Sequence, residues 1–155
     1  MEVTVRRGGD RRYWSEVRRD DGVVLVLPGQ DRKWRIPHDL AHLVTERELR
    51  LAHGLFGSIA AGAVFEGMRV VSGRPRHDAR ARSQQLLKTN ARALTVAEVL
   101  AGVIHEAAEY ERHNRLQSTA EEAWGVLNEE RLPYGCALLP EFRSSFGLVE
   151  VKKRL

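Results

Sequence analysis

His38 and His42 stand four residues apart in the segment IPHDLAHLVTE, close to one turn of an α-helix. Two imidazoles at that spacing present nitrogens on one side of a helix and supply half of a site for zinc or another divalent ion. Glu46, one turn further on, adds a carboxylate to the same row. Three donors in line along one helix cannot surround an ion, so other ligands must come from elsewhere. His53, His77, Glu66 and Cys136 are the candidates. Asp39, beside the pair, is suited to orient an imidazole or to accept a proton. The HExxH signature is absent, because position 39 is aspartate. The competing reading is plain: Asp39 favours the positive end of a helix dipole, and the histidines decorate a surface.

A helical wheel at 100° per residue sharpens the choice. Leu40, Leu43, Val44, Arg47 and Leu51 cluster around one direction, whereas His38, His42 and Glu46 fall roughly opposite, with Asp39 beside them. The pair therefore faces solvent, a cleft or a second packing surface. Leu49 on the same side argues for partial cover.

A second constellation, IHEAAEYERH, spaces His105, Glu109 and His113 four apart. Val96, Val99, Leu100, Val103 and Ala107 define the buried stripe of that helix, which leaves His105, Glu109 and Arg112 on a solvated face with i,i+4 pairing. Only a face packed against His38 would turn it into half of a shared metal site. The Glu-x-x-His spacing of ferritin-like di-iron proteins does not occur.

Charge is unevenly spread. Residues 67 to 97 carry seven basic side chains against Asp78 alone, for +6, while residues 101 to 155 carry seven basic and nine acidic, for −2. Arg74, Arg76 and Arg80 are candidates for holding phosphate, since guanidinium forks match its oxygens and helix starts favour anions. No aromatic residue interrupts 66 to 109, so a base-stacking surface is not expected and nucleic acid is not the expected partner. Arginine outnumbers lysine 21 to 4, the usage of a GC-rich bacterial genome. One cysteine, Cys136, permits no internal disulfide, which fits a reducing compartment and a buried, inert thiol. The N-terminus shows no signal-peptide pattern, and no apolar run is long enough to cross a bilayer, so a soluble cytoplasmic protein is expected. Neither phosphate-binding glycine loops nor a GxSxG elbow is present.

The elements that must carry these residues follow from periodicity and turns. Residues 1 to 36 read as an antiparallel β-meander of four short strands: the Val3/Val5 run, the Tyr13/Ser15/Val17 run, VVLVL and KWRI, with turns at Asp20-Asp21-Gly22 and Pro28-Gly29. Pro37 suits the first turn of a helix. LFGSIAAGAVFEGM, residues 55 to 68, predicts a buried central helix. SGRPRHD predicts a loop, and a polar helix follows to about Thr89. Thr95 with Glu98 and Ser118 with Glu121 match capping boxes, which predicts helices over 96–114 and 119–131. Residues 132 to 155 read as irregular, with GLVEVKK a candidate last strand. The three tryptophans read as core or sheet-face residues.

The stretch RIPHDLAHLVTERELRLAHGLFGSIAAGAVFEGMRVV resembles a family of small bacterial proteins with a β-rich start, a PHDLAH-type segment and an FGSIAAGA-type helix. The resemblance spans roughly residues 12 to 110 and implies neither an activity nor a ligand.

These readings combine into an α+β chain of one domain: the 1–36 meander packed on a helical region at 37–131, with an irregular 132–155 segment. Three function classes follow. The first is a divalent-metal site at His38 and His42, with Asp39, Glu46, His53 or His77 as further candidates. The second is a structural or protein-interaction module, with a second copy of the chain as the expected partner. The third, less expected, is a phosphate or nucleic-acid binder through the arginine-rich 69–92 segment, with Arg74, Arg76 and Arg80 as its phosphate-holding candidates.

Overall fold

In the computed structural model, which describes residues 1–10, 12–29 and 33–129, three strands open the chain: β1 (Glu2–Arg7), β2 (Tyr13–Arg18) and β3 (Val24–Pro28). Then come α1 (His38–Glu48), α2 (Leu55–Ala61), β4 (Arg69–Ser72), α3 (Ala79–Thr89), α4 (Ala91–Glu109), a 3-10 turn at His113–Arg115 and α5 (Leu116–Glu129). The class is α+β, with one antiparallel sheet in the order β1-β2-β3-β4. Among the described residues no helix is long and apolar enough to cross a membrane.

Alternation along β2 decides which face of the sheet is covered. Tyr13, Ser15 and Val17 are buried, while Trp14, Glu16 and Arg18 lie half-buried or exposed. The register carries this across the sheet: Val17 pairs with Val3 and Leu25, and Ser15 with Val5 and Leu27. The Asp20-Asp21-Gly22 turn forms as expected. Gly22 adopts φ 80°, and the Asp21 carboxylate accepts the Val23 N–H at 3.2 Å.

The fourth strand is not KWRI but Arg69–Ser72, which pairs with β3 from the far side of α2. KWRI lacks a ladder because its groups are engaged elsewhere. The Arg35 and Ile36 N–H groups donate to the Glu109 carboxylate at 2.9 Å each, and the Trp34 ring packs edge-on against His105 and Tyr110. The expected 55–68 helix likewise stops after Ala61. Gly62 takes φ 116°, a left-handed cap open to glycine, and the chain then leaves for β4. The centre of the helical layer is α4, whose Val96, Ala97, Leu100, Ala101, Val103, Ile104, Ala107 and Ala108 are buried, while Ala91, Thr95, Glu98 and Glu106 form an exposed stripe.

Both capping-box expectations fail. α3 runs into α4 through Asn90, whose side chain donates to Ser58 Oγ at 3.0 Å instead of capping a helix. Thr95 therefore sits inside α4, its hydroxyl donating back to the Ala91 carbonyl at 3.0 Å, and Glu98 is left for other work. Ser118 similarly lies inside α5 and donates to the Arg115 carbonyl. The candidate last strand at GLVEVKK, the irregular 132–155 segment and Cys136 lie outside the described residues.

Two apolar clusters flank α1. Val17, Val23, Leu25, Phe56 and Ile59 form one between sheet and α2, with Leu43 packed on it. The other joins Val44, Leu49 and Leu51 to α4 and to Leu116 and Ala120 of α5, with Leu40 packed on it. Each fully buried aliphatic side chain contributes about 1.5–3 kcal/mol. With its leucines divided between two cores, α1 is held on both sides, and its polar row is pressed against α4.

Candidate metal centre

The polar row of α1 starts at Pro37, which serves as N-cap with its carbonyl accepting the Leu40 N–H at 3.0 Å. Its trans-helix partner is Glu98, on the third turn of α4. Glu98 Oε1 lies 3.2 Å from His38 Nε2, and Oε2 lies 3.0 Å from His42 Nε2. The two imidazoles stand edge to face, 4.9 Å between centroids. One ligand atom from each of His38, His42 and Glu98 falls within 4.8 Å of the others, a set of three donors able to hold a metal ion. Side-chain exposure grades from 4% at His42 through 30% at His38 to 66% at Glu98, so the centre is anchored inside and open at its rim.

Glu46 holds the other side of His42. Its Oε1 is 3.2 Å from Nδ1, which leaves Nε2 directed at Glu98. The same carboxylate caps α2, a helix with no other side-chain cap, accepting the Leu55 N–H at 2.8 Å, the Phe56 N–H at 2.9 Å and the Gly57 N–H at 3.4 Å. Gly54 makes room for it, because a Cβ there would stand 2.4 Å from the Glu46 carboxyl carbon. Glu46 is thus an orienting partner of the imidazole, the arrangement that commonly backs a ligating histidine.

Burial works against charge on His42, but the hydrogen bonds to Glu46 and Glu98 outweigh it and raise the ring to about 9. Hydrogen bonds from His38 and His42 hold the Glu98 carboxyl well below the usual range. Asp39 is buried, and desolvation raises it despite the Ser15 hydroxyl, which donates to Oδ2 at 3.0 Å from the inner face of β2.

Of the residues singled out from sequence, His38 and His42 come together as expected, facing a second packing surface. Asp39 lines the same recess, and Glu46 touches the centre only through His42. His53 and His77 are exposed and take no part in the three-donor set; Glu66 is exposed at the recess. Arg74, Arg76 and Arg80 are exposed around the start of α3, with Arg76 paired to Asp78 at 3.1 Å.

Two expectations for α4 are corrected. His105 is buried, not solvated: its Nε2 lies 2.8 Å from the Ile36 carbonyl and its ring 5.1 Å from that of His38. Glu109 binds the 35–36 backbone. The wheel failed because it drew the buried stripe too narrow: Ala97, Ala101, His105 and Ala108 widen it, while Ala91, Thr95, Glu98 and Glu106 stay exposed. Glu98 escaped notice as a ligand because it also fitted a capping box. Its signal was a position two turns before His105, on the face that packs on His38.

Comparison with protein-family models, with curated proteins and with solved structures returned no match.

Proposed function

We propose that the protein binds a divalent transition metal ion, zinc first, through His38, His42 and Glu98, with at least one coordination position left for water or a substrate. The observation that carries this reading is the convergence of two Nε2 atoms and a carboxylate from separate helices. Zinc bonds of about 2.0–2.1 Å in tetrahedral geometry space neighbouring ligands by roughly 3.3 Å. The nitrogen–oxygen separations of 3.2 and 3.0 Å, one to each oxygen of Glu98, lie near that spacing, and the three ligand atoms all fall within 4.8 Å of one another. Two histidines and one carboxylate with an open position form the donor set of hydrolytic zinc sites and of non-haem iron(II) sites. An ion there would act as a Lewis acid and lower the pKa of bound water. The single cysteine and the arginine-rich, lysine-poor composition support a reducing, bacterial cytoplasmic setting.

A second reading has its own support. Glu98 already spans both imidazoles, so the same residues complete a hydrogen-bonded clamp between α1 and α4 without any ion.

Equilibrium dialysis separates the two. The metal reading expects one zinc per chain for untagged protein, loss of that zinc in His42→Ala, and affinity weakened by at least tenfold in Glu98→Ala. Circular dichroism confirms that each variant is folded. Absence of zinc from the folded wild-type chain favours the clamp and removes the metal reading.

A further inference from the structure

We infer that the recess beside this centre binds a small organic ligand with one oxygen-donor head group and an uncharged aromatic or branched aliphatic body. The inference rests on the metal reading, because the bound ion is what holds the head group. The recess encloses about 480 Å³, within the range of small-molecule sites. His38, His42, Glu98 and Asp39 make it polar where the ion would sit, and its remaining walls are largely apolar: Leu27, Pro28, Leu55, Phe65, and the rings of Tyr13 and Trp34.

Charge narrows the class. Among the described residues no lysine or arginine lines the recess, whereas Asp39, Glu66 and Glu98 all do. Among the described lining residues a phosphorylated or multiply anionic body would meet three carboxylates and no lysine or arginine, so the part of the ligand away from the ion is uncharged.

The wall bearing Trp34 is built in advance. Its ring stands edge-on to His105 and Tyr110, with centroids 5.5 and 6.0 Å away. The following backbone is strapped to α4: Glu109 takes both N–H groups, and the Arg35 guanidinium donates to the Ala108 carbonyl at 3.0 Å. A preformed wall spares the ligand the entropic cost of ordering it.

Hydroxamates of different bodies test the inference on zinc-loaded protein. Acetohydroxamate and benzohydroxamate share one chelating head, and 4-carboxybenzohydroxamate adds a charge to the ring. Zinc content is measured first, then each dissociation constant by calorimetry. Benzohydroxamate should bind about thirtyfold tighter than acetohydroxamate, as burial of a phenyl ring implies, and the 4-carboxy compound should lose that gain. Trp34→Ala and Phe65→Ala should each shrink the ratio of the two constants, a readout taken within one sample and so insensitive to modest destabilisation. Equal binding of the two hydroxamates by zinc-loaded protein overturns the recess and leaves the metal reading standing. Undiminished binding of the 4-carboxy compound overturns the uncharged body. A chain that takes up no zinc fails at the first step, and both readings fall.

Discussion

Glu46 serves two elements at once, which makes its removal informative. In Glu46→Ala the N-terminus of α2 loses the acceptor of its Leu55 and Phe56 N–H groups, bound at 2.8 and 2.9 Å, and the weaker contact to Gly57. Phe56 is buried, so water replaces these bonds incompletely. A hydrogen bond to a charged group contributes about 1.5–3 kcal/mol, and partial rehydration of the exposed end brings the expected total to about 3 kcal/mol. For a chain of this length that is a fall in Tm of roughly 10 °C. Glu46→Gln keeps one acceptor oxygen and should lose about half as much. Gly54→Ala gives an independent arm. Gly54 has φ −71°, so alanine brings no backbone strain, yet its Cβ would displace the carboxylate and should destabilise in the same direction. Calorimetric melting of metal-free protein at neutral pH reads all three. A Glu46→Ala protein melting within about 2 °C of wild type would refute the reasoning.

Two more outcomes are expected. In metal-free protein the fold prefers protonated His42, raised from 6.5 to about 9, so this contribution is complete below about pH 6.5 and disappears as pH rises through 9. Its upper limit is about 3 kcal/mol, and urea melts of wild type and His42→Ala at pH 6 and 10 should converge at the higher pH. Thr95→Ala, which would remove a cap if the helix began at 96, should change Tm by less than about 2 °C, because the hydroxyl donates to a carbonyl inside α4; a larger fall would restore the cap.

How far the chain could be read in advance follows from which residues answer to local rules. The alternation of Tyr13, Ser15 and Val17 and the Asp-Asp-Gly turn placed β2 and β3, because strand faces and tight turns are decided within a few residues. Arg69–Ser72 could not be recognised as a strand. All four residues are exposed, and only the edge of β3 makes them one. KWRI failed for the converse reason: a strand-like run was claimed by Glu109, some 74 residues away. At the site, the His38–His42 face was legible from helical geometry, but its third donor, Glu98, came from another helix 56 residues beyond His42, which local periodicity cannot place. Glu98 satisfied a capping rule by type and spacing, and only the turn at Asn90 moved it into the middle of α4.

X-ray absorption at the zinc edge, on protein reconstituted with one equivalent and dialysed, tests the central claim most directly. The account predicts for wild type a light-atom first shell near 2.0 Å with the outer-shell scattering of two imidazoles, retained at two in Glu98→Gln, and no zinc left on the dialysed His42→Ala chain. Zinc lost from wild type on dialysis, or a first shell of sulfur or of water oxygens alone, would contradict it.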